Sequence, residues 1–326
     1  MWLLACALVP FLLGAPAGRD ETSRLSVPPE PDGSVTALAP SHVTLDAVGD
    51  IMLDRYVGEE IERHGTAYPL SKVRRVLAKA DLAVANLECP LTRQPRVLPK
   101  SFAFRCPPER VAALSGIQLV TVANNHTLDC GRPGLSETLS TLRSAGIAVF
   151  GSSTTPAVVE RHGIRIAFLG FSDFPESAPG DAPGIVYYDR AAIAAAVTRA
   201  RSEADVVVVF AHWGIEGDPR PSARQREEAS EIARAGADLI LGAHPHVLQP
   251  VERIGHTVVA YSMGNFVFDP PNSAQARTAI YRFTIGRDGV TYCELLPCLI
   301  EACRPALIKS GRSVRSVQRA RQPITP

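Results

Sequence analysis

Carboxylate, amide and imidazole side chains follow six short apolar runs of this 326-residue sequence. They are Asp50 after "LDAVG", Asn86 and Glu88 after "LAVA", Asn124, Asn125 and His126 after "LVTVA", His212 after "VVVVFA", His244 and His246 after "LILGA", and Asn265 after "AYSMG". Polar groups are costly to bury without partners, so their recurrence at the ends of apolar runs predicts one shared site. Helix capping is the alternative for Asp50 and Glu88.

The donor atoms define the chemistry that such a site would perform. Carboxylate oxygen, imidazole nitrogen and amide oxygen suit a divalent ion such as Mn²⁺, Fe²⁺, Zn²⁺ or Mg²⁺, and the absence of sulfur argues against copper(I). A carboxylate can bridge two ions, so Glu88 could serve a pair about 3.5–4 Å apart, as in two-metal hydrolases. We therefore predict a site for one or two divalent ions.

The elements that must position these residues show two kinds of pattern. Short β-branched runs alternate with helical segments such as "SETLSTLRSAG" and "RQREEASEIARAG", both closing on Gly, which predicts βαβ units. In such units the ligand crevice lies at the carboxyl ends of the strands. Three stretches are typical of hairpins instead: "AVVERHGIRIAFLG", "QPVERIGHTVVAYS" and "YRFTIGRDGVTYCELL". We expect an α/β fold with two mixed sheets and helices outside them.

Six motifs occur together between residues 48 and 269. They are "VGDIMLDR", "ANLECPLT", "ANNHTLDCG", "AHWGIE", "GAHPHVLQ" and "YSMGNFVFD". Together they resemble the bacterial capsule and poly-γ-glutamate synthesis family of CapA type, which is itself similar to the calcineurin-like metallophosphatases. The resemblance implies a four-layer α-β-β-α sandwich and a location outside the cytoplasmic membrane with an N-terminal anchor. It also implies a role in making or exporting an anionic poly-γ-glutamate.

The similarity to metallophosphatases further implies a distribution of ligands. One ion would be held by Glu88, Asn125, His212 and His244, and a second by Asp50, Glu88 and His246. His126 would be a general acid or a phosphate-contacting group, and Asp129 would orient it. Metallophosphatases carry Asp-x-His at the first motif, whereas this sequence has Met52 at the third position. The Asp50 site therefore lacks one imidazole.

Four further residues are predicted substrate contacts: Arg55, Trp213, Glu216 and Asn265. Arg55 suits an anionic group of the substrate. Packing beside the site is the alternative for Trp213, and pairing with a nearby cation is the alternative for Glu216.

The charge balance of the chain is close to neutral. Lys and Arg number 34 against 33 Asp and Glu, which gives no electrostatic reason to expect nucleic acid as a partner. Residues 304–326 nevertheless contain six basic residues and no acidic one. This segment is either a solvated tail or a contact for an anionic polymer or membrane surface.

The termini predict how the chain is organised. The uncharged stretch "MWLLACALVPFLLGAPAG" indicates a signal peptide or N-terminal anchor over residues 1–20, followed by a Pro-rich linker over 21–40. We expect a CapA/metallophosphatase-like domain over 41–303, a basic tail over 304–326, and an extracytoplasmic protein that is secreted or anchored.

Six cysteines follow the leader, and none of them forms a CxxC pair, so a thiolate zinc site has little support. In an exported protein they permit disulfides. Cys89 with Cys106, and two of Cys293, Cys298 and Cys303, are the plausible pairs.

Two functions are open from sequence. The first is a metal-dependent hydrolase or transferase acting on a phosphoester or on an amide of polyglutamate or another cell-envelope substrate. The second is a component of a membrane synthesis complex that binds polymer without turnover. Met52 favours the second, whereas His126 favours the first because a binding site needs no proton donor. A hydrolase unrelated to capsule is a further alternative.

Overall fold

The computed structural model describes residues 42–97, 100–175, 184–269 and 272–308. The predicted leader, the linker and most of the predicted basic tail lie outside these residues. Within the described ranges, no helix is both long enough and apolar enough to cross a membrane.

The first sheet carries the amino-terminal motifs. Its strands are β1 (Val43–Ile51), β2 (Leu82–Leu87), β3 (Leu119–Thr121), β4 (Ala148–Phe150), β11 (Asn265–Val267), β12 (Arg277–Gly286), β13 (Gly289–Glu301) and β14 (Arg304–Leu307). Their order is β14-β13-β12-β1-β2-β3-β4, and β11 also pairs with β1. Strands β1 to β4 and β11 are parallel, so their carboxyl ends meet at one edge.

The second sheet carries the histidine-bearing runs. Its strands are β5 (Ala157–Arg161), β6 (Ile164–Ser172), β7 (Val206–His212), β8 (Leu239–Ala243), β9 (Val251–Ile254) and β10 (Thr257–Ala260), in the order β5-β6-β7-β8-β10-β9. Strands β6, β7, β8 and β10 are parallel. The three predicted hairpins are confirmed as β5/β6, β9/β10 and β12/β13.

The helices pack on the outer faces of both sheets. They are α1 (Arg55–His64), α2 (Arg74–Leu77), α3 (Gly131–Ser144), α4 (Arg190–Glu203) and α5 (Ala223–Ala235), with a 3₁₀ helix at Pro108–Leu114. Helices α3 and α5 contain the two predicted helical segments. A capping box formed by Ser222 and Gln225 begins α5, and Gly236 ends it in the left-handed conformation.

Three apolar clusters separate the layers. One joins the first sheet to α1, α2 and α3, through residues such as Ile61 and Leu142. A second lies between the sheets and includes Leu45 of the first sheet and Phe168 of the second. A third joins the second sheet to α4 and α5. Burying one side chain such as Phe168 stabilises the fold by roughly 1.5–3 kcal/mol. The predicted four-layer α-β-β-α sandwich is confirmed.

The segment between β10 and β11 passes from the second sheet to the first. Met263 N donates to Gly242 O at 3.0 Å, and Asp50 N donates to Gly264 O at 3.0 Å. A Cβ atom on Gly49 would lie 1.8 Å from Gly264 O, so only glycine allows this approach. The crossing therefore fixes the end of β1 against the loop that follows β8.

Two expectations need correction. The first sheet continues past residue 303, the predicted end of the domain, because β14 pairs with β13 as far as Leu307. The six described cysteines, including Cys89 and Cys106, are buried free thiols rather than disulfides. Burial raises the pKa of Cys106 well above its ordinary value, and the neighbouring Cys89 contributes to this shift.

Candidate metal centre

The carboxyl edge of the first sheet supplies two buried carboxylates. Asp50 lies near the end of β1, paired in register with Asn86 on one side and Asn265 on the other. The Asn86 amide donates to Asp50 Oδ1 at 2.8 Å and to Glu88 Oε2 at 3.4 Å. Neither carboxylate begins a helix, since Asp54 is the residue that precedes α1. The helix-cap interpretation therefore does not hold.

The second sheet brings His212 to the same carboxylates. His212 ends β7, and its Nε2 lies 3.9 Å from Glu88 Oε1 and 3.0 Å from Asn125 Oδ1. The ring is fully buried. Residues from β2, from the loop after β3 and from β7 thus converge at one point between the two sheets.

His244 and His246 lie in the loop after β8, with backbone φ angles of 91° and 58°. Such left-handed conformations are costly for non-glycine residues and are retained where function needs them. His246 Nδ1 lies 3.1 Å from Asp50 Oδ2 and 2.9 Å from Asn265 Oδ1, and its Nε2 lies 3.7 Å from Glu88 Oε1. The strained turn therefore aims His246 at both carboxylates.

The cluster contains buried polar atoms without partners in the part of the chain that the structure describes. Glu88 Oε1 and His244 Nδ1 are both buried and make no hydrogen bond. One ligand atom from each of Asp50, Glu88 and His212 lies within 4.8 Å of the other two, and the same is true of Glu216, His244 and His246. Orphaned donors this close together fit a divalent cation, which would satisfy them at once.

The protonation states of the ligands differ. Burial, followed by the neighbouring histidines, lowers the pKa of His212 well below its ordinary value and that of His244 to about 3. Burial and the adjacent Asp50 raise the pKa of Glu88 well above its ordinary value. For His246, burial lowers the pKa, but the hydrogen bond and charge of Asp50 outweigh it and raise the pKa overall. Neutral imidazole is ready to ligate, whereas Glu88 and His246 must first lose a proton.

We expect metal binding to release protons from Glu88 and His246 only. Both groups have raised pKa values, so each keeps its proton to a higher pH than usual, and metal affinity should rise as pH increases from 5 to 8. His212 and His244 are already neutral over this range, so they should release no protons when the metal binds. Calorimetric Mn²⁺ titrations in two buffers of different ionisation enthalpy measure the released protons. An affinity independent of pH over this range would contradict the expectation.

His126 lies beside the cluster in a fixed orientation. Its Nδ1 is 2.7 Å from Asp129 Oδ2, as predicted from their spacing. Asp129 is fully buried and also accepts from Phe104 N at 2.7 Å and from Lys100 Nζ at 2.9 Å. Burial lowers the pKa of His126, and Asp129 opposes this effect. Asp129 therefore fixes the orientation of the His126 ring through its Nδ1.

Sequence reasoning missed two residues that hold this arrangement. Lys100 also donates to Asn125 O, so one ammonium group joins a predicted ligand to the His126–Asp129 pair. Asn124 donates to Asn86 Oδ1 at 3.0 Å and accepts from His126 N at 3.0 Å. The sequence showed that Asn124 follows an apolar run, but it did not show that Asn124 links Asn86 to His126. Lys100 lies in a loop without a pattern, so no sequence signal indicated it.

The structure changes the roles of two predicted substrate contacts. Trp213 is fully buried, and its indole donates to Tyr261 O at 2.8 Å, so it packs beneath the site as the alternative interpretation held. Asn265 is also buried and orients His246 instead of facing substrate. In both cases a hydrogen bond within the protein engages the buried side chain: Trp213 with Tyr261 O, and Asn265 with His246 Nδ1.

The other two predicted contacts lie nearer the surface. The Arg55 guanidinium pairs with Asp269 at 2.9 Å and lies 4.9 Å from the Phe102 ring centre. Its side chain keeps 39% exposure, so it can still meet an anionic group. Glu216 is exposed beside His244 and His246.

The fold and the donor set define a class: an α/β sandwich with a candidate divalent-ion site at the shared edge of its sheets. The family model described as "Bacterial capsule synthesis protein PGA_cap" matches residues 44–270. The chain therefore belongs to this bacterial capsule synthesis family, and the resemblance drawn from the six motifs is confirmed.

Two relatives and two solved structures are similar to the chain. It is 32% identical over 276 residues to "PGA biosynthesis protein CapA" of Bacillus subtilis (strain 168), covering 80% of this chain and 73% of that protein. It is 30% identical over 296 residues to "Capsule biosynthesis protein CapA" of Bacillus anthracis, covering 85% and 72%. A hypothetical protein from Thermus thermophilus has a TM-score of 0.44 and 16% identity, covering 81% and 96%. The 5'-nucleotidase from Candida albicans has a TM-score of 0.45 and 11% identity, covering 75% and 52%.

Proposed function

We propose that the protein acts outside the cytoplasmic membrane in the synthesis or export of poly-γ-glutamate, and that its centre binds one or two divalent ions. Family membership and the two CapA relatives support the capsule role. The uncharged apolar start of the sequence supports the extracytoplasmic location.

One observation carries the metal centre: the unsatisfied Glu88 Oε1 and His244 Nδ1 lie buried among further carboxylate and imidazole donors. A divalent ion bound there would polarise the scissile group and lower the pKa of water. The protein's own side chains would position and donate the proton that the reaction needs. Lys100 holds Asp129, Asp129 holds the His126 ring, and His126 would deliver a proton to the leaving group. This arrangement suits hydrolysis or transfer at an amide or phosphoester.

An arginine-lined cleft supports an anionic substrate. Its volume is about 540 Å³, and Arg93, Arg96, Arg105 and Arg110 line it together with Asp54 and Glu62. Asp54 takes an ion pair with Arg96 at 2.7 Å, and Glu62 one with Arg110 at 2.8 Å. Arg93 also pairs with Glu109. Four guanidinium groups against three carboxylates leave a small positive excess, which favours a polymer bearing repeated carboxylates.

The test combines polymer binding, metal content and turnover. Purified protein loaded with Mn²⁺ is incubated with poly-γ-glutamate, and with α-linked polyglutamate as a control of equal charge. Release of amines and shortening of the γ-linked polymer alone would support the proposal. In the source organism, wild-type protein should restore polymer to a deletion strain, whereas Glu88→Gln should not. Normal polymer in the deletion strain would contradict the capsule role.

A second candidate is a metal-dependent phosphoester hydrolase unrelated to capsule. The His126–Asp129 pair favours it, because proton donation is needed for turnover and not for binding. Rapid cleavage of a simple phosphodiester, together with no effect on either polymer, would favour this candidate.

A further inference from the structure

The position that carries an imidazole in metallophosphatases has no ligand here. Met52 is fully buried, and its sulfur accepts a hydrogen bond from Asp54 N at 3.0 Å. The thioether is therefore engaged at the start of α1 and packs in the core. Asp50, Glu88 and His246 alone would leave an ion at that position with an incomplete ligand set.

Glu216 lies on the open side of the same cluster. One carboxylate oxygen of Glu216 is within 4.8 Å of ligand nitrogens of both His244 and His246. Ligands of one ion are separated by roughly 3–4 Å when metal–ligand distances are about 2.0–2.2 Å. The separations around Glu216 are therefore compatible with ligands of one ion, and the side chain is exposed.

The backbone beside Glu216 is held against the histidine loop. Gly217 N donates to Pro245 O at 2.9 Å, and Pro245 lies between the two histidines. Trp213 N donates to Ala243 O at 3.2 Å, and the Trp213 indole donates to Tyr261 O at 2.8 Å. Trp213 therefore anchors the turn that presents Glu216, which gives this buried residue a positioning role.

The negative charge of Glu216 would be stabilised by a bound cation. Its carboxylate is close enough to Glu88 and His246 for its charge to act on both. Among the described residues, no Lys or Arg forms an ion pair with it. His246 contacts Asp50 and Glu88 and also lies beside Glu216, so it joins the two groups of carboxylates. A divalent ion bound there would offset their negative charge.

We propose that the Glu216 carboxylate supplies the ligand that Met52 does not, and so completes the ion site formed by Asp50, Glu88 and His246. This inference rests on the metal centre proposed above. It changes the role predicted for Glu216 from substrate contact to metal ligand.

Mn²⁺ titration of the metal-free full-length chain tests the inference, with free Mn²⁺ followed by its electron paramagnetic resonance signal. The variants are Glu216→Gln and the matched control Asp218→Asn, which removes a partly exposed carboxylate two residues away that pairs with Arg220. We expect Glu216→Gln to weaken one class of site by at least about 10-fold, since removal of even an outer partner of a metal site typically costs 10- to 100-fold. Asp218→Asn should match wild type. The melting temperatures of the metal-free variants should also match, because Glu216 is exposed, Asp218 is partly exposed, and both substitutions keep the size of the side chain.

The outcomes separate this inference from the proposed function. If wild type binds Mn²⁺ and Glu216→Gln binds it with the same affinities, Glu216 is not a ligand and the proposed metal centre stands. If wild type binds no Mn²⁺, the proposed metal centre fails and the inference fails with it. Equal weakening by Asp218→Asn would show a general charge effect and overturn the role of Glu216.

Discussion

Glu88→Gln is expected to lower Mn²⁺ affinity more than any other single substitution in this protein, by more than about 100-fold. Changes to outer partners of a metal site typically cost 10- to 100-fold, whereas Glu88 is a proposed direct donor. Its Oε1 lies 3.9 Å from His212 Nε2 and 3.7 Å from His246 Nε2, and both histidines come from the second sheet. At a concentration of 100 times Kd, Mn²⁺ should stabilise wild type by about 2.7 kcal/mol. The variant should gain almost nothing at the same concentration. Thermal melting with and without Mn²⁺ measures both effects.

The metal-free stability of Glu88→Gln sharpens this test. Burial and Asp50 raise the pKa of Glu88, so its ionised form is unfavourable in the folded, metal-free chain. Gln removes that cost, and the metal-free variant should be at least as stable as wild type. Glu228→Gln is the matched control, since Glu228 is a buried glutamate paired with Arg224 on α5. Retained Mn²⁺ stabilisation in Glu88→Gln would rule out Glu88 as a ligand.

His126→Ala is expected to lower kcat by about 100- to 10,000-fold with metal content unchanged. His126 is held by Asp129 and is not among the clustered ligand atoms. As a proton donor it matters most when the leaving group is a poor one. We therefore expect a large loss with an alkyl phosphodiester and a much smaller loss with a p-nitrophenyl ester, whose leaving group needs little protonation.

Two further measurements make the His126 prediction specific. Asp129→Asn should also reduce kcat, because His126 would lose the acceptor that fixes its ring. His162→Ala is the control, since His162 pairs with Asp81 on the surface at 2.7 Å. Equal losses with both leaving groups, or loss of metal from His126→Ala, would contradict a proton-donating role.

Much of the fold followed from local pattern. The alternation of runs and helical segments, together with the turn residues, correctly predicted two mixed sheets and all three hairpins. The cause is that hydrophobic periodicity and turn chemistry act over a few residues. Short strands such as β14 and the 3₁₀ helix carried too little pattern to be seen, and they are fixed by the neighbours they pack against.

The candidate site was only partly visible in the sequence. Strand-end position selected the carboxylates and histidines, because parallel strands bring their carboxyl ends to a common edge. It could not show which way each side chain points. Asn265 and Trp213 follow apolar runs like the donors do, yet both are buried and bonded to groups of the protein. Lys100 and Glu216 reach the site from loops, whose paths depend on contacts far away in sequence.

The sequence by itself determined the donor types, the order of the elements and the missing imidazole at Met52, because each is a property of single residues or short segments. Only the tertiary structure decided which of these donor atoms lie next to one another. The crossing at Gly264 fixes Asp50 against the His244–His246 loop, and the bond from Gly217 to Pro245 brings Glu216 to the same histidines. Such contacts form between segments that are far apart in sequence. They depend on the packing of two whole sheets, so no local sequence pattern indicates them.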